Sequence, residues 1–560
     1  MLTNLLVRSL IWFAAILSLL LLGYPVAAIV VHGLDPTLWP NEAMTPGSWF
    51  DLWRTLDVSA VTATYWMMLI GRSPAFASGF WTVMLLLSPL ALMLGWRYAG
   101  ATKLIQRDTS DLFGSARFAT PTERTAMNKG LELGLDPETG RAVRVAVQGT
   151  LATIAPPRKG KTSGLLIPNL AYPEVGSWAG PAVVIDPKGE IYKATAERRR
   201  ALGRRVVCLD PLDLVGGRDR WNPLYERDAT DILYLQHTAL ALLPEASGDS
   251  EASAYFRNRA VDLITGALLV SLTRGNRTVA QVHALIADAP KLVEQLEALR
   301  PAPAALTALE ILNADPKTRD PIVATASQAF QWLADERLRR LVGASTFSLA
   351  DLANGDVDLF IAVPPEYKRL LAPLLRWFLS DLFISVRRNR PVQRLLIMVD
   401  EAAALGKFDE ILTASGELPG YGASLWTLWQ DRSQIVGLYG EAGADTILNT
   451  AEFLVLFDVP AVDPDAAERW SRAVGDYTAR VETLTRPAEG QGQRSIATTP
   501  QGVRLLTREA LASLPSHQLL VFPNSAAYGR HPLRLRKTVA HTDPRFARLI
   551  RAVPPVGASR

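Results

Sequence analysis

Cysteine and histidine are scarce in this sequence. Its 560 residues include one cysteine, Cys208, and six histidines that lack the spacing of metal ligands. A single thiol excludes a disulfide within the chain and also a cysteine zinc cluster. Since Cys208 lies in the apolar run of residues 206–209, we expect it to be a small core residue. The function must therefore depend on other side chains.

The chain also lacks a large excess of either charge. It has 59 Lys and Arg against 55 Asp and Glu, a net charge of +4. This balance does not by itself predict nucleic-acid binding, so any DNA contact must come from local patches. One basic cluster, at residues 198–200 and 204–205, ends a predicted helix. It is either a solvated helix C-terminus, which the helix dipole favours, or a contact for a phosphate backbone.

Charge is absent from two long runs near the N-terminus, residues 9–31 and 73–96. Each run is long enough to span a bilayer as a helix, and Trp12, Trp81 and Trp96 lie near the run ends, where interfacial aromatics belong. A cleaved signal peptide is the alternative for the first run. The length of that run and the presence of a second one favour a two-helix transmembrane anchor over residues 1–96.

The charges around these runs predict their orientation. The loop between them is net acidic, whereas Arg97, Lys103 and Arg107 follow the second run. The positive-inside rule therefore places both termini in the cytoplasm and makes the short loop periplasmic. A single free cysteine agrees with a cytoplasmic location for the bulk of the chain.

A loop ending in Gly160-Lys161-Thr162 follows the apolar run of residues 150–155. In a P-loop, backbone N–H groups face phosphate oxygens, the lysine reaches the β- and γ-phosphates, and the threonine can hold Mg²⁺. The alternative is a basic surface turn. The predicted nucleotide-binding residues of this segment are Ala155, Arg158, Lys159, Gly160, Lys161, Thr162 and Ser163.

Two further apolar runs end in carboxylates. Residues 182–185 lead to Asp186, which we place among the nucleotide-binding residues, and residues 395–399 lead to Asp400 and Glu401 in the form of a Walker B strand. There Asp400 would hold the Mg²⁺ shell together with Thr162, and Glu401 would orient or deprotonate the attacking water. A P-loop and a Walker B run in one chain predict an ATP hydrolase with ATP and Mg²⁺ as cofactors.

The order of predicted elements indicates an α/β fold. Strands and helices alternate over residues 150–227 and again over 346–530, which predicts a parallel sheet with helices on both faces. Between these parts, helical apolar spacing predicts an all-α insertion at 228–345. Its predicted helices are 228–243, 252–273, 279–287, 291–299 and 319–342.

Three other segments have weaker signals. Residues 97–149 are predicted to be a cytoplasmic connector. The polar, turn-rich sequence after about residue 479 predicts a flexible surface loop. Residues 531–560 form a tail with several arginines and few apolar residues, a composition that can be disordered.

Together, these motifs resemble the type IV secretion coupling proteins, the TraG-type ATPases of conjugation. The resemblance covers most of the chain, and its Asp-Pro-Lys-Gly-Glu and Trp-Asn-Pro-Leu pieces are more specific than either Walker motif. The matching segments are the anchor, 114–117, 160–162, 167–168, 186–190, 221–224, 400–401, 405–406, 420–422, Gln430 and 438–440.

The resemblance implies a RecA-like P-loop NTPase domain with an all-α insertion and an N-terminal two-helix transmembrane anchor. It further implies a homo-hexameric ring on the bacterial inner membrane that couples ATP hydrolysis to cargo transfer. The implied partners are inner-membrane components of the secretion channel, relaxosome or effector proteins, and single-stranded DNA. In such a protein Gln430 would contact the γ-phosphate or the attacking water, which adds it to the catalytic residues Glu401, Asp400 and Lys161.

The sequence departs from the family pattern at two positions. Ala155 replaces the first glycine of the P-loop. Pro419 stands where many relatives carry an arginine that is thought to act on the γ-phosphate of the neighbouring subunit. Either another arginine supplies this charge, with Arg432 and Arg158 nearest in sequence, or hydrolysis is slow until a partner binds.

Two other functions remain open from the sequence. An FtsK-type DNA translocase would usually have more membrane helices and a C-terminal winged helix, and this tail is too short and irregular for one. A membrane-anchored recruitment scaffold would bind nucleotide for assembly and scarcely hydrolyse it.

Overall fold

The computed structural model describes residues 105–243, 250–459, 463–485 and 495–551, with 21–23, 25–35, 46–55 and scattered residues between 13 and 89. These residues form two compact units. One comprises the described parts of 1–110 and 479–501, and the other comprises those of 111–478 and 502–560. The predicted nucleotide site and the predicted insertion both lie in the second, larger unit.

The described chain contains fourteen named strands. In chain order they are β1 Ile105–Arg107, β2 Leu131–Leu135, β3 Ala142–Val145, β4 Thr150–Ile154, β5 Ala182–Asp186, β6 Arg205–Leu209, β7 Val357–Ala362, β8 Leu395–Val399, β9 Ala423–Trp429, β10 Ala451–Leu456, β11 Asp476–Thr485, β12 Ser495–Arg504, β13 Gln518–Pro523 and β14 Leu533–Arg536.

Eleven of these strands form one mixed sheet in the order β3-β2-β14-β13-β10-β4-β9-β8-β5-β7-β6. The seven strands from β10 to β6 are parallel, and the strands on the other side of β10 pair antiparallel. Every residue of β5 and β8 is buried, because helices cover both faces of the parallel part. The predicted α/β class is confirmed, and the antiparallel edge is an addition to the predicted parallel sheet.

Helices follow most of these strands. In chain order they are α1 Pro46–Arg54, α2 Pro121–Ala126, α3 Ile167–Ala171, α4 Glu190–Ala201, α5 Ile232–Leu242, α6 Glu251–Thr273, α7 Val279–Ala287, α8 Ala289–Glu297, α9 Pro303–Leu312, α10 Pro316–Gln328, α11 Glu336–Leu341, α12 Lys368–Arg388, α13 Glu410–Glu417, α14 Arg432–Thr450, α15 Pro464–Val474 and α16 Arg508–Ala512. A wide turn of π geometry spans Thr162–Leu166, and 3₁₀ turns span Gln331–Ala334, Leu349–Asn354, Pro365–Tyr367, Ala402–Leu405 and Leu418–Tyr421.

The helical insertion, α5 to α11, shares its hydrophobic core with the sheet. One continuous cluster of buried side chains joins strands β5 to β9, the long helix α12 and the insertion helices. Trp377, Phe378 and Phe383 of α12 are almost fully buried in this cluster. The insertion is therefore packed onto α12 rather than joined to it only by the chain.

The Trp-Asn-Pro-Leu segment, at residues 221–224, joins the point where the chain enters the insertion to the point where it leaves. The Trp221 N–H donates to the Leu341 carbonyl at 3.0 Å, and the Asn222 N–H donates to Ser345 Oγ at 3.0 Å. The Asn222 side chain also donates to the Arg277 carbonyl at 2.7 Å. These bonds hold the entering and leaving chains side by side.

Within the insertion the helix boundaries differ from the prediction. The single helix predicted at 319–342 is divided into α10, the 3₁₀ turn Gln331–Ala334 and α11, and α9 was not predicted. Phe330 and Trp332 at the break are nearly fully buried. Their large rings fill the core at this point, so packing rather than helical periodicity sets the path of the chain.

The segment after residue 479 is not wholly a flexible loop, and this expectation is corrected. β11 and β12 lie there and form a three-stranded sheet with β1, in the order β1-β11-β12. Residues 486–494, which the prediction also covered, lie outside the described part. The sequence of β11 alternates in the period of a strand, but its polar composition hid that pattern.

The predicted tail and connector also contribute to the large sheet. β14 pairs with β13 and β2, and Phe546 is fully buried, so residues 533–551 are an ordered part of the fold and not a disordered tail. Within the predicted connector, β2 and β3 form the sheet edge. β2 has five residues and β3 has four, and strands this short give little sequence signal.

The basic cluster at residues 198–200 is occupied by contacts within the chain. Arg199 and Asp358 are fully buried and pair at 2.6 Å. Arg198 donates to the carbonyls of Ala171 and Tyr172 at 3.0 Å each, at the end of α3. These contacts favour the structural interpretation of the cluster over a phosphate-backbone contact.

The two predicted membrane spans, 9–31 and 73–96, lie mostly outside the described residues. Among the residues that are described, no helix is both long and apolar enough to cross a bilayer. The two-helix anchor therefore stays a prediction.

The burial of the C-terminal segment can be tested with Phe546→Ala. The Phe546 ring packs with Ile167 and Ala171 of the helix that follows the P-loop. Its removal is expected to destabilise the protein by about 3–5 kcal/mol, because a buried aromatic ring leaves a cavity. The matched control is Leu112→Ala, since Leu112 is 72% exposed. Urea unfolding that shifts equally in both variants would contradict the packed C-terminal segment.

Candidate functional site

The site lies at the edge of the sheet where three neighbouring parallel strands end. Ile154 at the end of β4 is level with Trp429 at the end of β9, and Val399 at the end of β8 is level with Thr427. Because the strands run parallel in this register, the loops that follow them meet at one edge. This brings together the segments around residues 155–163, 400–401 and 430.

The first loop begins with a buried alanine. The Ala155 N–H donates to the Trp429 carbonyl at 2.9 Å, and its methyl group is fully buried. Ala155 thus continues the ladder of β4, and the methyl that replaces the expected glycine fits without blocking the loop. Further along, Arg158 has φ 62° and Gly160 has φ 84°, which turns the loop sharply before the helix.

The segment after the loop is widened by a π turn. The Gly164 N–H donates to the Gly160 carbonyl at 2.7 Å, and the Ile167 N–H donates to the Thr162 carbonyl. Pro168 has no N–H and cannot donate the i→i−4 hydrogen bond of a regular α-helix. The π turn ends just before this residue. Ser163 Oγ contacts the Gly160 carbonyl at 3.4 Å, which fastens the same turn.

Lys161 lies between the two Walker B carboxylates. Its Nζ donates to the Asp400 carbonyl oxygen at 2.6 Å, and it lies 3.6 Å from Asp400 Oδ1 and from Glu401 Oε2. The ammonium is therefore held at the place where the negative charge of this site is concentrated. A polyphosphate that enters would find this cation already positioned.

Thr162 and Asp400 present oxygen atoms to one point. Thr162 Oγ1 lies 3.4 Å from Asp400 Oδ1 and 3.3 Å from Oδ2. Burial raises the pKa of Asp400, and the charge of Lys161 opposes that shift. Hard oxygen donors of this kind suit Mg²⁺, which keeps waters and phosphate oxygens as its other ligands. The described residues hold no cluster of three or more His, Cys, Asp or Glu that could bind a metal alone.

Gln430 orients Glu401. Its Nε2 donates to Glu401 Oε1 at 3.0 Å and to Oε2 at 2.9 Å. The backbone N–H of Gln430 donates to Gln434 Oε1 at 2.9 Å, so Gln430 is itself held by the following helix. The carboxylate that would act on water is fixed by a neutral donor.

Asp186 ends β5 beside the site and is enclosed by the fold. It is fully buried, Oδ2 accepts from the Tyr192 N–H at 2.9 Å, and Oδ1 has no partner within the described chain. Burial raises its pKa to about 7, and the charge of Asp400 adds to this effect. The side chain organises the turn between β5 and α4.

A cavity of about 270 Å³ opens over these groups. The predicted residues that line it are Arg158, Lys161, Thr162, Asp400, Glu401 and Gln430. Ala155, Gly160, Ser163 and Asp186 do not line this cavity; Ala155 and Asp186 are fully buried, whereas Gly160 is exposed. Lys159 Nζ pairs with Asp458 Oδ2 at 2.5 Å.

Two lysines of this cavity were missed by the sequence reasoning. Lys188 and Lys368 are exposed at its wall, and neither forms an ion pair with any described residue. Lys188 lies in the Asp-Pro-Lys-Gly-Glu motif directly after β5, so its position at the strand end was available as a signal. Lys368 begins α12, and nothing local marks it.

The arginine candidates are placed very differently. Arg432 is buried and its Nη2 pairs with Glu441 and Asp445 at 2.7 Å each, whereas Arg158 lines the cavity of its own chain. Pro419 lies at the opposite edge of the sheet, before β9. There Arg390 lies against Gly422, is exposed, and has no hydrogen bond or ion pair within the described chain.

Comparison with known proteins gives consistent matches. The family model described as type IV secretory system conjugative DNA transfer matches residues 119–553. Protein VirD4 of Rhizobium radiobacter is 26% identical over 413 residues, which cover 71% of this chain and 57% of that protein. A conjugal transfer protein TraG of Escherichia coli is 26% identical over 436 residues, which cover 69% and 67%. The chain thus spans less than two thirds of the length of VirD4.

Solved structures show the same fold. The conjugative coupling protein TrwB, in a crystal form with sulphate, superimposes with a TM-score of 0.59 at 17% identity, over 79% of this chain and 99% of that structure. The plasmid coupling protein TrwB in complex with ADP and Mg²⁺ gives a TM-score of 0.58 at 17% identity. This likeness confirms the predicted α/β fold.

The two unpredicted lysines can be tested by nucleotide binding. Lys188→Ala and Lys368→Ala are each expected to weaken ADP binding in the presence of Mg²⁺ by about tenfold, because each removes a charged donor at the cavity wall. Lys193→Ala, on the exposed surface of α4, is the matched control. Calorimetric titration that finds unchanged affinity in both cavity variants would exclude them from the site.

Proposed function

Because the chain belongs to the type IV secretory system conjugative DNA transfer family, we propose that it is an ATP-hydrolysing coupling protein for a type IV secretion channel. It recruits DNA–protein or effector cargo and couples ATP hydrolysis to transfer of that cargo. The observation that carries this proposal is the meeting of Lys161, Thr162, Asp400, Glu401 and Gln430 at one edge of the sheet.

The residues fit ATP and Mg²⁺ in distinct roles. Thr162 and Asp400 would hold the metal, which neutralises phosphate charge when bound, and Lys161 would reach the β- and γ-phosphates. The buried position of Asp400 and the adjacent hydroxyl supply the oxygen donors that such a site needs. Lys188 and Lys368 add positive charge at the mouth.

Glu401 and Gln430 form the hydrolytic pair. Gln430 Nε2 is a primary amide nitrogen with two N–H donors. Both carboxylate oxygens of Glu401 lie within 3.0 Å of it. Gln430 thereby sets the orientation in which Glu401 positions a water for attack. A terminal phosphate oxygen that takes one of these donors would release Glu401, so the amide can sense whether the γ-phosphate is present.

The membrane and ring are the remaining parts of the proposal. Two helices within residues 1–96 hold the protein in the bacterial inner membrane, and six copies form a ring on its cytoplasmic side. Channel components of the inner membrane, relaxosome or effector proteins, and single-stranded DNA are the partners. The basis is the family membership together with the two uncharged runs of the sequence.

In such a ring Arg390 replaces the missing arginine at the Pro419 position. It lies at the opposite sheet edge from the P-loop and is exposed without a partner in the described chain, which supports its use by a neighbouring subunit. Arg432 is excluded from this role by its two carboxylate partners.

The recruitment scaffold is the main alternative, because Pro419 removes a charge on which fast hydrolysis would depend. The family match favours the coupling protein over an FtsK-type translocase. The motor hypothesis requires ATP hydrolysis for cargo transfer, whereas the scaffold hypothesis does not.

Glu401→Gln is the sharpest test of that requirement. It should retain ATP binding and lower hydrolysis by about 100-fold or more, because the group that acts on water is neutralised. Lys161→Ala should weaken binding itself, and Glu417→Gln, on the exposed end of α13, is the control. Hydrolysis and transfer of cargo between cells are both measured. Normal transfer by Glu401→Gln would support the scaffold and exclude the motor.

Arg390→Ala tests the trans arginine. In the assembled protein it is expected to lower hydrolysis by about 10³-fold, as loss of an arginine finger does, while ATP binding is unchanged. Arg388→Ala is the control, because Arg388 is 58% exposed on the same segment and pairs with Asp231.

A mixing experiment distinguishes action between subunits from a structural effect. Arg390→Ala subunits retain intact sites, and Glu401→Gln subunits retain the arginine. Mixed rings should therefore recover part of the hydrolysis that each variant lacks alone. Absence of recovery, or normal hydrolysis by Arg390→Ala itself, would contradict the assignment.

A further inference from the structure

Arg376 is a buried cation without an acidic partner in the described chain. It lies in the middle of α12 and is 5% exposed. Its Nε donates to the Ala241 carbonyl at 2.7 Å, Nη2 to the Leu242 carbonyl at 3.0 Å, and Nη1 to the Leu405 carbonyl at 2.7 Å. Burial lowers the pKa of Arg376 to about 10, as expected for a charge that only carbonyl dipoles stabilise.

The three carbonyls belong to the C-terminal ends of two different helical elements. Ala241 and Leu242 end α5, the first helix of the insertion, and Leu405 ends the 3₁₀ turn Ala402–Leu405. Carbonyls at helix ends have no partner within the helix and carry the negative end of its dipole. One guanidinium therefore satisfies both ends and holds them at a fixed separation.

The 3₁₀ turn is directly connected to the catalytic pair. It begins at the residue after Glu401, and its last carbonyl is the one that Arg376 holds. Gly406 follows with φ 67° and ψ −160°, a conformation essentially confined to glycine. A change in the position of Glu401 must pass through these few residues.

Tyr439 holds the residues that follow the same turn, from the Gln430 side. Its hydroxyl accepts from the Phe408 N–H at 3.2 Å and lies 3.5 Å from the Gly406 carbonyl. Tyr439 belongs to α14, which begins two residues after Gln430. Glu401 and Gln430 are thus connected in two ways. Their side chains form hydrogen bonds with each other, and their backbones are linked through Tyr439 of α14 and the segment that follows the 3₁₀ turn.

On the insertion side, α5 is also fixed to α12. Tyr234 donates to Asp381 Oδ2 at 3.2 Å, and Arg227 pairs with the same oxygen at 3.1 Å. These contacts hold the first turn of α5, whereas Arg376 holds its last turn. The end of α5 is therefore the part of the insertion that can respond to the turn at Leu405.

We propose that Arg376 is a positioning residue that links the arrangement of Glu401 to the first helix of the insertion. This rests on the proposed function, in which Glu401 and Gln430 change their contacts when nucleotide binds. Because the guanidinium is planar and rigid, the Leu405 carbonyl cannot move without altering the bonds to Ala241 and Leu242. The nucleotide state of the site is thereby transmitted to the α5 end of the insertion.

Amide hydrogen exchange on the full chain measures this link directly. Exchange is recorded with and without a non-hydrolysable ATP analogue and Mg²⁺. In the unmodified protein, residues 402–408 and residues 239–243 are both expected to change exchange rate by about tenfold when the analogue binds. In Arg376→Gln the change at 402–408 should remain, and the change at 239–243 should fall below about twofold.

Two further variants separate linkage from folding. Arg376→Lys keeps a positive charge between the two helix ends and so preserves the fold. One ammonium on a flexible stem cannot hold both ends rigidly. The analogue-dependent change in exchange at 239–243 should therefore be lost in this variant as well. Arg198→Gln is the matched control, because Arg198 donates to two carbonyls at the end of α3 without reaching the insertion. Its linked response should equal that of the unmodified protein.

The outcomes distinguish this proposal from the proposed function. If Arg376 is purely structural, Arg376→Gln will raise the exchange rate of residues 239–243 equally with and without the analogue. The analogue-dependent difference at 239–243 would then equal that of the unmodified protein, and this result would overturn the link. A response confined to 402–408 in the unmodified protein would also overturn it, while leaving the ATPase proposal intact. Failure of the unmodified protein to bind the analogue would overturn both.

Discussion

The parallel register of β4, β9 and β8 is the constraint on which the site depends. The P-loop, the Walker B carboxylates and Gln430 come from distant parts of the sequence, and only the level endings of these three strands bring them within contact distance. A shift of one residue in either pairing would separate Lys161 from Asp400 and turn the buried side chains of the strands to the wrong face. The full burial of β8 and β9 on both faces makes such a shift costly.

The same burial explains why the insertion is not an independent lobe. Its helices complete the covering of the sheet through α12, and buried polar groups fix how they sit. Burial raises the pKa of Asp381 to about 6, while Arg227 and Tyr234 stabilise its charged form. A buried charged cluster such as Asp381 with Arg227 and Tyr234 adds little net stability. Any other packing of α5 on α12 would leave one of these polar groups buried without a partner, which is unfavourable, so the cluster specifies a single packing. The connection between the insertion and the nucleotide site therefore depends on polar contacts inside a hydrophobic core.

The parts that could be predicted from sequence were those with a local signal. Long apolar runs with a polar end predicted β4, β5 and β8, and each run placed its functional carboxylate or loop at the correct edge of the sheet. β11, β14 and Lys368 escaped prediction for physical reasons. The first is a polar strand, the second is four residues long, and the third reaches the cavity only through the folded path of α12. Pairing partners and helix directions are set by tertiary contacts, which no short stretch of sequence contains.

The position of β4 in the sheet also has a consequence for synthesis of the chain. β4 is made early, yet its two neighbours, β9 and β10, lie at residues 423–429 and 451–456. At ribosomal rates of roughly 5–20 residues per second, this strand waits on the order of tens of seconds for either partner. During that time an apolar strand with unpaired edges is exposed to the solvent, and the P-loop has no carboxylates to meet. The nascent protein thus cannot assemble the nucleotide site until β8 and β9 have been made, and its central strand stays unpaired until then.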